Sequence, residues 1–213
     1  MVRIGPDAKR IGLIADSHGD FHATERAIRV LRERGADCLV HLGDFCDSVR
    51  NNGLNDLVRL LRDNNMSVVK GNNDYQVEKM LRGVADPKAG QESLVAFFNT
   101  IPMMIVEGEA CFAHSLPYDA LRAFYEPIDI GSPKRARKIF QHTSYRILFC
   151  GHSHLPVFFR WRDEEATRES IAPQQTLSLA AAERYIMIVG AVYEGESALY
   201  NREAQTYERI TIF

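Results

Sequence analysis

The sequence has few of the residues that mark several common protein classes. Its 213 residues include one tryptophan and four cysteines, and no two cysteines form a Cys-x-x-Cys pair. Structural zinc sites and redox motifs need such pairs, so we interpret the cysteines as reduced residues of a cytoplasmic protein. A large excess of one charge is also lacking. With 26 basic and 28 acidic side chains the net charge is −2, which gives no indication of nucleic-acid binding.

Long apolar runs and internal repeats are absent too. No stretch is long enough to cross a bilayer, and Asp16 ends the run at residues 11–15 too soon for a signal-peptide core. We therefore expect no membrane association. Because no linker or low-complexity tract divides the chain, we predict a single domain over residues 1–213, long enough to bury a sizeable core. The sequence leaves a homo-oligomer open.

Short apolar runs that end in a polar residue recur along the first 154 residues. They occupy residues 11–15, 38–42, 66–70, 110–113 and 145–150. Such runs are typical of buried strands, and helical patterns at residues 23–34 and 54–63 separate the first three. Strand–loop–helix units in succession predict right-handed crossovers and a parallel sheet.

The rest of the chain is less regular. Residues 103–106 and 110–113 are predicted to form a hairpin, residues 83–90 a loop and residues 163–169 an exposed turn. Further helices are predicted at residues 75–81, 92–99 and 133–142. Further strands are predicted at residues 157–162, 175–179, 185–189, 197–201 and 207–212.

Seven side chains of metal-ligand type follow the five apolar runs. They are Asp16, His18, Asp44, Asn72, His114, His152 and His154. Alternate residues of an extended strand point to the same side, so we expect Asp16 and His18 to face one cation. Imidazole, carboxylate and amide donors without thiolate suit a borderline divalent ion such as manganese, iron or zinc. Seven donors are too many for one tetrahedral ion, whereas two ions that share a carboxylate would use them all.

The motifs that carry these residues resemble those of the calcineurin-like metallophosphoesterases. In order they are Asp16-Ser17-His18-Gly19, Gly43-Asp44, Gly71-Asn72-Asn73-Asp74, His114-Ser115-Leu116-Pro117 and Gly151-His152-Ser153-His154. Residues 190–212 also look like the last hairpin of the small bacterial and archaeal phosphodiesterases of this superfamily. The resemblance implies an α/β fold, a four-layer α/β/β/α sandwich with two mixed β-sheets.

The resemblance also implies a reaction and a ligand assignment. The family hydrolyses phosphoesters by in-line attack of a hydroxide that bridges two divalent ions; we expect manganese, with iron, zinc, nickel or cobalt as alternatives. Carried over by position, the first ion would be held by Asp16, His18, Asp44 and His154. The second would be held by Asp44, Asn72, His114 and His152, with Asp44 bridging. The Asn72 amide would also offset charge on the phosphoryl oxygens.

Two departures from the family pattern direct the choice of branch. Asn73 stands where many members have a histidine that is thought to protonate the leaving group, and an amide cannot do so near neutral pH. The arginine typical of Ser/Thr protein phosphatases after Gly43-Asp44 is also missing, and Arg50 is a candidate to approach the phosphate in its place. Asp74 and His22 are the remaining catalytic candidates, His22 as a substitute acid.

These departures favour a phosphodiesterase acting on a small or nucleotide-like diester. A phosphomonoesterase or a dinucleoside polyphosphate hydrolase is the alternative. A non-catalytic scaffold that binds a protein partner is less favoured, because it has no chemical reason to keep seven ligands together. His41, within the second run, is predicted to be structural.

Overall fold

The order of strands and helices follows the apolar runs of the sequence. The computed structural model describes residues 4, 5, 7–50, 53–84 and 90–213. Its strands are β1 (Arg10–Ile14), β2 (Cys38–His41), β3 (Ser67–Val68), β4 (Met104–Glu107), β5 (Ala110–Ala113), β6 (Ile147–Cys150), β7 (Val157–Arg162), β8 (Glu165–Ser170), β9 (Thr176–Ser178), β10 (Arg184–Ile188), β11 (Glu196–Asn201) and β12 (Thr206–Thr211). Its helices are α1 (Phe21–Glu33), α2 (Leu54–Asp63), α3 (Asn72–Arg82), α4 (Gln91–Thr100) and α5 (Lys134–His142), with a 3₁₀ turn at Val192–Glu194.

The strands form two six-stranded mixed sheets. The first has the order β3-β2-β1-β11-β12-β9, and the second has the order β4-β5-β6-β10-β7-β8. Strands β1, β2 and β3 are parallel, as predicted, with Ile11 opposite Cys38 in register. In the second sheet β5, β6 and β10 are parallel. The loops that follow these six strands therefore lie at the carboxyl-terminal edge of each sheet.

The core lies in three apolar layers that alternate with the sheets. Alternate residues of β1 point to opposite faces: Leu13 packs between the two sheets, and Ile14 packs under the helices α1 to α4. Between the sheets, Phe112 and Phe149 stack with ring centroids 5.2 Å apart. Helix α5 covers the outer face of the second sheet through residues such as Phe140. The architecture is the predicted four-layer α/β/β/α sandwich.

Two helix starts differ from the predictions by more than one residue, and both helices begin closer to the end of the preceding strand. Helix α1 begins at Phe21 rather than at residue 23, because the Asp20 side chain accepts a hydrogen bond from Ala23 N at 2.9 Å and caps the first turn. Helix α3 begins at Asn72 rather than at residue 75. Asn72 is therefore part of a rigid first turn, not of a loop. Asparagine is a weak helix former, which is why the pattern did not predict this start.

The predicted turn at residues 163–169 is wrong. Only Asp163 and Glu164 form the turn, and Glu165–Ser170 is the edge strand β8, paired antiparallel with β7. Strand β8 lies at the edge of its sheet, where its polar residues bury little apolar surface. Between β7 and β8, Arg160 Nε lies 3.0 Å from Glu169 Oε1, and this ion pair contributes to the pairing of the two strands. The predicted loop at residues 83–90 falls largely on residues 85–89, which lie outside the described residues.

The helices of the described residues include none that is both long and apolar enough to cross a membrane.

Candidate metal centre

The five polar strand ends meet at one edge of the two sheets. Beyond the end of β1 the pairing with β2 continues through the loops: Asp16 N donates to Gly43 O, and His18 N donates to Asp44 O, both at 3.0 Å. In the second sheet Gly151 N donates to His114 O at 3.0 Å. These bonds hold the loops side by side, so the polar side chains that follow the strands share one site.

Most of the candidate ligands have an unusual backbone conformation. Ten non-glycine residues of the described chain have a positive φ, and half of them are candidate ligands. They are Asp16, His18, Asp44, His152 and His154, with φ between 44° and 65°. This conformation costs about 1 kcal/mol or more per residue and tends to persist where function requires it. Asp16 and His18 do share a site, but the reason given from the sequence is wrong, because neither residue is extended.

Asp16, His18 and His154 form one donor group. The Nε2 atoms of His18 and His154 lie 3.2 Å apart, and His154 Nε2 lies 3.5 Å from Asp16 Oδ1. An ion with ligand bonds of about 2.0–2.2 Å separates two of its ligands by roughly 3.0–3.5 Å. The three donor atoms are thus spaced as the edges of one coordination sphere.

Asn72, His114 and His152 bring three electron-rich atoms together. The Asn72 side-chain amide lies 3.1 Å from His114 Nε2 and 3.0 Å from His152 Nδ1, and the two ring nitrogens are 3.1 Å apart. Oδ1 faces the rings as a metal ligand would, whereas without an ion the swapped amide, with Nδ2 donating to both rings, satisfies the hydrogen bonds. The other nitrogen of His114, Nδ1, donates to the Leu42 carbonyl at 2.9 Å, and the His152 ring hydrogen-bonds the carbonyl of Tyr125. Each ring therefore directs its N–H away from the other two donor atoms. A cation between the three lone pairs would satisfy all of them.

Asp16 and Asp44 link the two groups. Oδ1 of Asp16 is buried without a hydrogen-bond partner among the described residues, while its Oδ2 accepts from His152 N at 2.9 Å. Oδ2 of Asp44 lies 3.6 Å from His114 Nε2. Donor atoms of Asp16, Asp44 and His114 all lie within 4.8 Å of one another. The orphaned carboxylate oxygen and the facing lone pairs fit divalent metal.

The charge of the site also favours a cation. Burial alone would lower the pKa of His114, yet the carboxylates of Asp44 and Asp16 raise it above its usual value. The Asp16 carboxylate, 3.5 Å from Nε2, raises the pKa of His154. By contrast, burial and the neighbouring His114 lower the pKa of His152 to about 4, so this ring is neutral and free to bind metal near neutral pH.

Two glycines are required by the close approach of the carboxylates. A Cβ on Gly71 would overlap the backbone nitrogen and the side chain of Asp44, and a Cβ on Gly151 would overlap Oδ2 of Asp16. No larger residue fits either place without moving a candidate ligand.

Asn73 and Asp74 form hydrogen bonds with the loop that carries Asp44. Asn73 donates to both carboxylate oxygens of Asp44, from its backbone N at 2.8 Å and from Nδ2 at 2.7 Å. Its Oδ1 accepts from Ser48 Oγ at 2.6 Å. Asp74 is buried and accepts from the backbone N of Asp44, Gly71 and Cys46 at 2.8–3.0 Å. Burial and Asp44 raise the pKa of Asp74 to about 7.

The remaining candidates lie at different distances from this centre. Arg50 lines an open cleft of about 450 Å³ together with His18 and His154. His22 is exposed on the first turn of α1, where its ring lies beside Phe21 with centroids 5.6 Å apart. None of the hydrogen bonds among the described residues joins His22 to the ligands.

Besides Asp20 and Asp47, which also line the cleft, the strand-end pattern missed Tyr193. It lines the same cleft, and its Oη lies 3.1 Å from His154 Nδ1. The 3₁₀ turn that carries it follows β10, which is parallel to β6. Because β10 is parallel to β6, the turn after β10 lies at the same sheet edge as the candidate ligands. The sequence alone does not show this direction, because it depends on how distant strands pair.

Two mixed sheets between helical layers, with a cluster of metal-ligand residues at the strand ends, define an α/β/β/α sandwich with a candidate metal centre. Residues 10–172 match the family described as the Calcineurin-like phosphoesterase superfamily domain. The chain belongs to this family, which confirms the resemblance seen in its motifs.

Solved structures share the fold over nearly the whole chain. A metallophosphoesterase from Sphaerobacter thermophilus is 22% identical with a TM-score of 0.75, covering 97% of this chain and 89% of that one. A novel archaeal phosphodiesterase is 17% identical with a TM-score of 0.53, covering 95% and 99%. The protein TT1561 of Thermus thermophilus is 15% identical with a TM-score of 0.51, covering 97% and 100%. A comparison with curated proteins found no match.

Proposed function

We propose that the protein is a phosphodiesterase that depends on two divalent metal ions, manganese first among them. The observation that carries the proposal is the convergence of two donor groups that share Asp16: one adds His18 and His154, and the other adds Asp44 and His114. As a ligand assignment, Asp16, His18 and His154 would hold the first ion, and Asn72, His114 and His152 would hold the second. Asp44 would be a ligand of both.

The chain's own residues would bind and orient the substrate in the open cleft. When bound, the two ions supply an acidified water nucleophile and Lewis-acid stabilisation of phosphoryl charge. Arg50 lines the cleft together with His18, and its guanidinium is suited to contact a non-bridging phosphate oxygen. Asn73 keeps the Asp44 carboxylate in place through its two hydrogen bonds.

The charge of the substrate supports a diester over a monoester. Near neutral pH a diester carries one negative charge, whereas a monoester carries two. The attack of an anionic nucleophile on the diester is therefore less opposed electrostatically.

A comparison of two chromogenic substrates with the same leaving group tests the proposal. With Mn²⁺ added, bis(p-nitrophenyl) phosphate should be hydrolysed with a higher kcat/KM than p-nitrophenyl phosphate. Chelation should abolish both activities, and Mn²⁺ should restore them. A higher kcat/KM for the monoester would favour the phosphomonoesterase alternative, and full turnover after exhaustive chelation would contradict metal dependence.

A second experiment concerns the leaving group. Since Asn73 is bonded to Asp44 and Ser48 and cannot act as a general acid, we expect rates to fall steeply as the leaving-group pKa rises. A general acid contributes a factor of about 10²–10⁴. A series of aryl and alkyl diesters measures the dependence in the wild type and in His22→Ala. If the wild-type series is flat and becomes steep in His22→Ala, the acid is His22 and our interpretation of Asn73 is wrong.

A further inference from the structure

Tyr193 contacts two of the residues assigned to the first ion. Its hydroxyl oxygen lies 3.1 Å from His154 Nδ1, and its ring meets the edge of His18 with centroids 5.5 Å apart. The turn that carries it is tied to the end of β1, because Val192 N donates to Ala15 O at 2.9 Å. Tyr193 is thus anchored to the same backbone as the first ligand loop.

The assignment of His154 Nε2 to the first ion determines which ring nitrogen carries the proton. The Nε2 atom faces His18 Nε2 and Asp16 Oδ1, so this atom is the one directed at the first ion. A neutral imidazole that offers a lone pair at Nε2 carries its hydrogen on Nδ1. In that tautomer the N–H donates to Tyr193 Oη, 3.1 Å away, and the Tyr193 hydroxyl donates to Glu194 Oε1 at 3.2 Å.

The two ligand rings of the second group have backbone partners instead. His114 is bonded to the carbonyl of Leu42, and His152 is bonded to the carbonyl of Tyr125. The His154 side chain is 33% exposed and lies at the cleft, where a side-chain hydroxyl takes the place of a carbonyl. Outer partners of this kind fix ring orientation and tautomer and raise the basicity of the ligand.

We propose that Tyr193 is a positioning residue of the first metal site, which holds His154 with Nε2 directed at the ion. The inference rests on the proposed two-metal function. It assigns Tyr193 no contact with the reacting atoms; its effect passes through His154. Loss of such an outer partner typically weakens metal binding by about 10- to 100-fold.

Stepwise Mn²⁺ binding, followed by electron paramagnetic resonance of the free ion, tests the proposal. In a His114→Ala background, which weakens the second site, the tighter binding step reports the first site, and Tyr193→Phe should raise its Kd by about tenfold or more. In a His18→Ala background, which weakens the first site, Tyr193→Phe should leave the Kd of the second site unchanged. Tyr118→Phe is the matched control, because Tyr118 and Tyr193 are 38% and 37% exposed.

Each outcome bears on the proposal. A selective rise in the first-site Kd, with the melting temperature of the metal-free protein unchanged, supports it. An unchanged first-site Kd in Tyr193→Phe overturns it, as does an equal loss at both sites or a loss equal to that of Tyr118→Phe. If the wild type bound two ions and hydrolysed no phosphodiester, the proposed function would fail while the Tyr193 inference would still be decided by the Kd values.

Discussion

His41 should make the protein less stable as the pH falls below neutral. The residue ends β2 beneath the metal centre and is wholly buried. Its Nε2 lies 2.7 Å from Ser17 Oγ, and its Nδ1 has no hydrogen-bond partner among the described residues. Burial, with a smaller effect from His114, lowers the pKa of His41 to about 3. A protonated ring would have to bury a charge and an unpaired N–H.

The magnitude follows from proton linkage. The unfolded state takes up a proton near the ordinary histidine pKa of about 6.5, whereas the folded state does so only near pH 3. Between these two values the unfolded state binds more protons, so stability is fully present above the unfolded pKa and is lost as the pH falls. At about 1.36 kcal/mol per pH unit, the contribution of His41 falls by about 2 kcal/mol between pH 7.5 and pH 5.0.

Urea unfolding of the wild type and His41→Gln measures this contribution. Both proteins are kept in chelator so that metal binding does not contribute, and the fluorescence of Trp161, the only tryptophan, reports unfolding. The free energy of unfolding of the wild type should fall by about 2 kcal/mol more than that of His41→Gln from pH 7.5 to pH 5.0. A difference between the two proteins that does not change with pH would refute the reasoning, because it would mean that His41 titrates alike in both states.

Two further predictions concern the site itself. Asp44→Asn should lower kcat/KM for a diester on the order of 100-fold or more, as expected for loss of transition-state charge stabilisation, and should change the free energy of urea unfolding far less; activity close to wild type would contradict the bridging role. Arg50→Gln should raise KM for the diester about tenfold with little change in kcat, since one charge-assisted hydrogen bond contributes about 1.5 kcal/mol, and Arg50→Lys should recover part of the loss; a fall in kcat alone would place Arg50 elsewhere.

The family and the ligand types could be predicted from the sequence because both depend on local features. An apolar run followed by a glycine and a carboxylate or imidazole consists of consecutive residues, as in the run at residues 145–150 and the motif Gly151-His152-Ser153-His154 after it. Successive strand–helix units then lead to parallel strands through the handedness of their connections, and β1 to β3 have that arrangement. The predicted sandwich, the parallel order and the helix α2 were confirmed on this basis.

Other features depended on contacts between distant residues. Strand β8 exists because it pairs with β7, not because its residues 165–170 favour a strand. The left-handed backbone of Asp16 and His18 is held by hydrogen bonds to residues 43 and 44, which no local pattern encodes.

The composition of the metal centre shows the same division. The sequence by itself determined which chemical groups are available, because donor types are read directly from residue names. Only the tertiary structure decided which side chains meet: the Asn72 amide faces two ring nitrogens from residues 42 and 80 positions further along the chain, and Tyr193 joins the site from a turn that follows β10. Such distances are set by the packing of two sheets, which brings together residues whose separation along the chain carries no information about their separation in space.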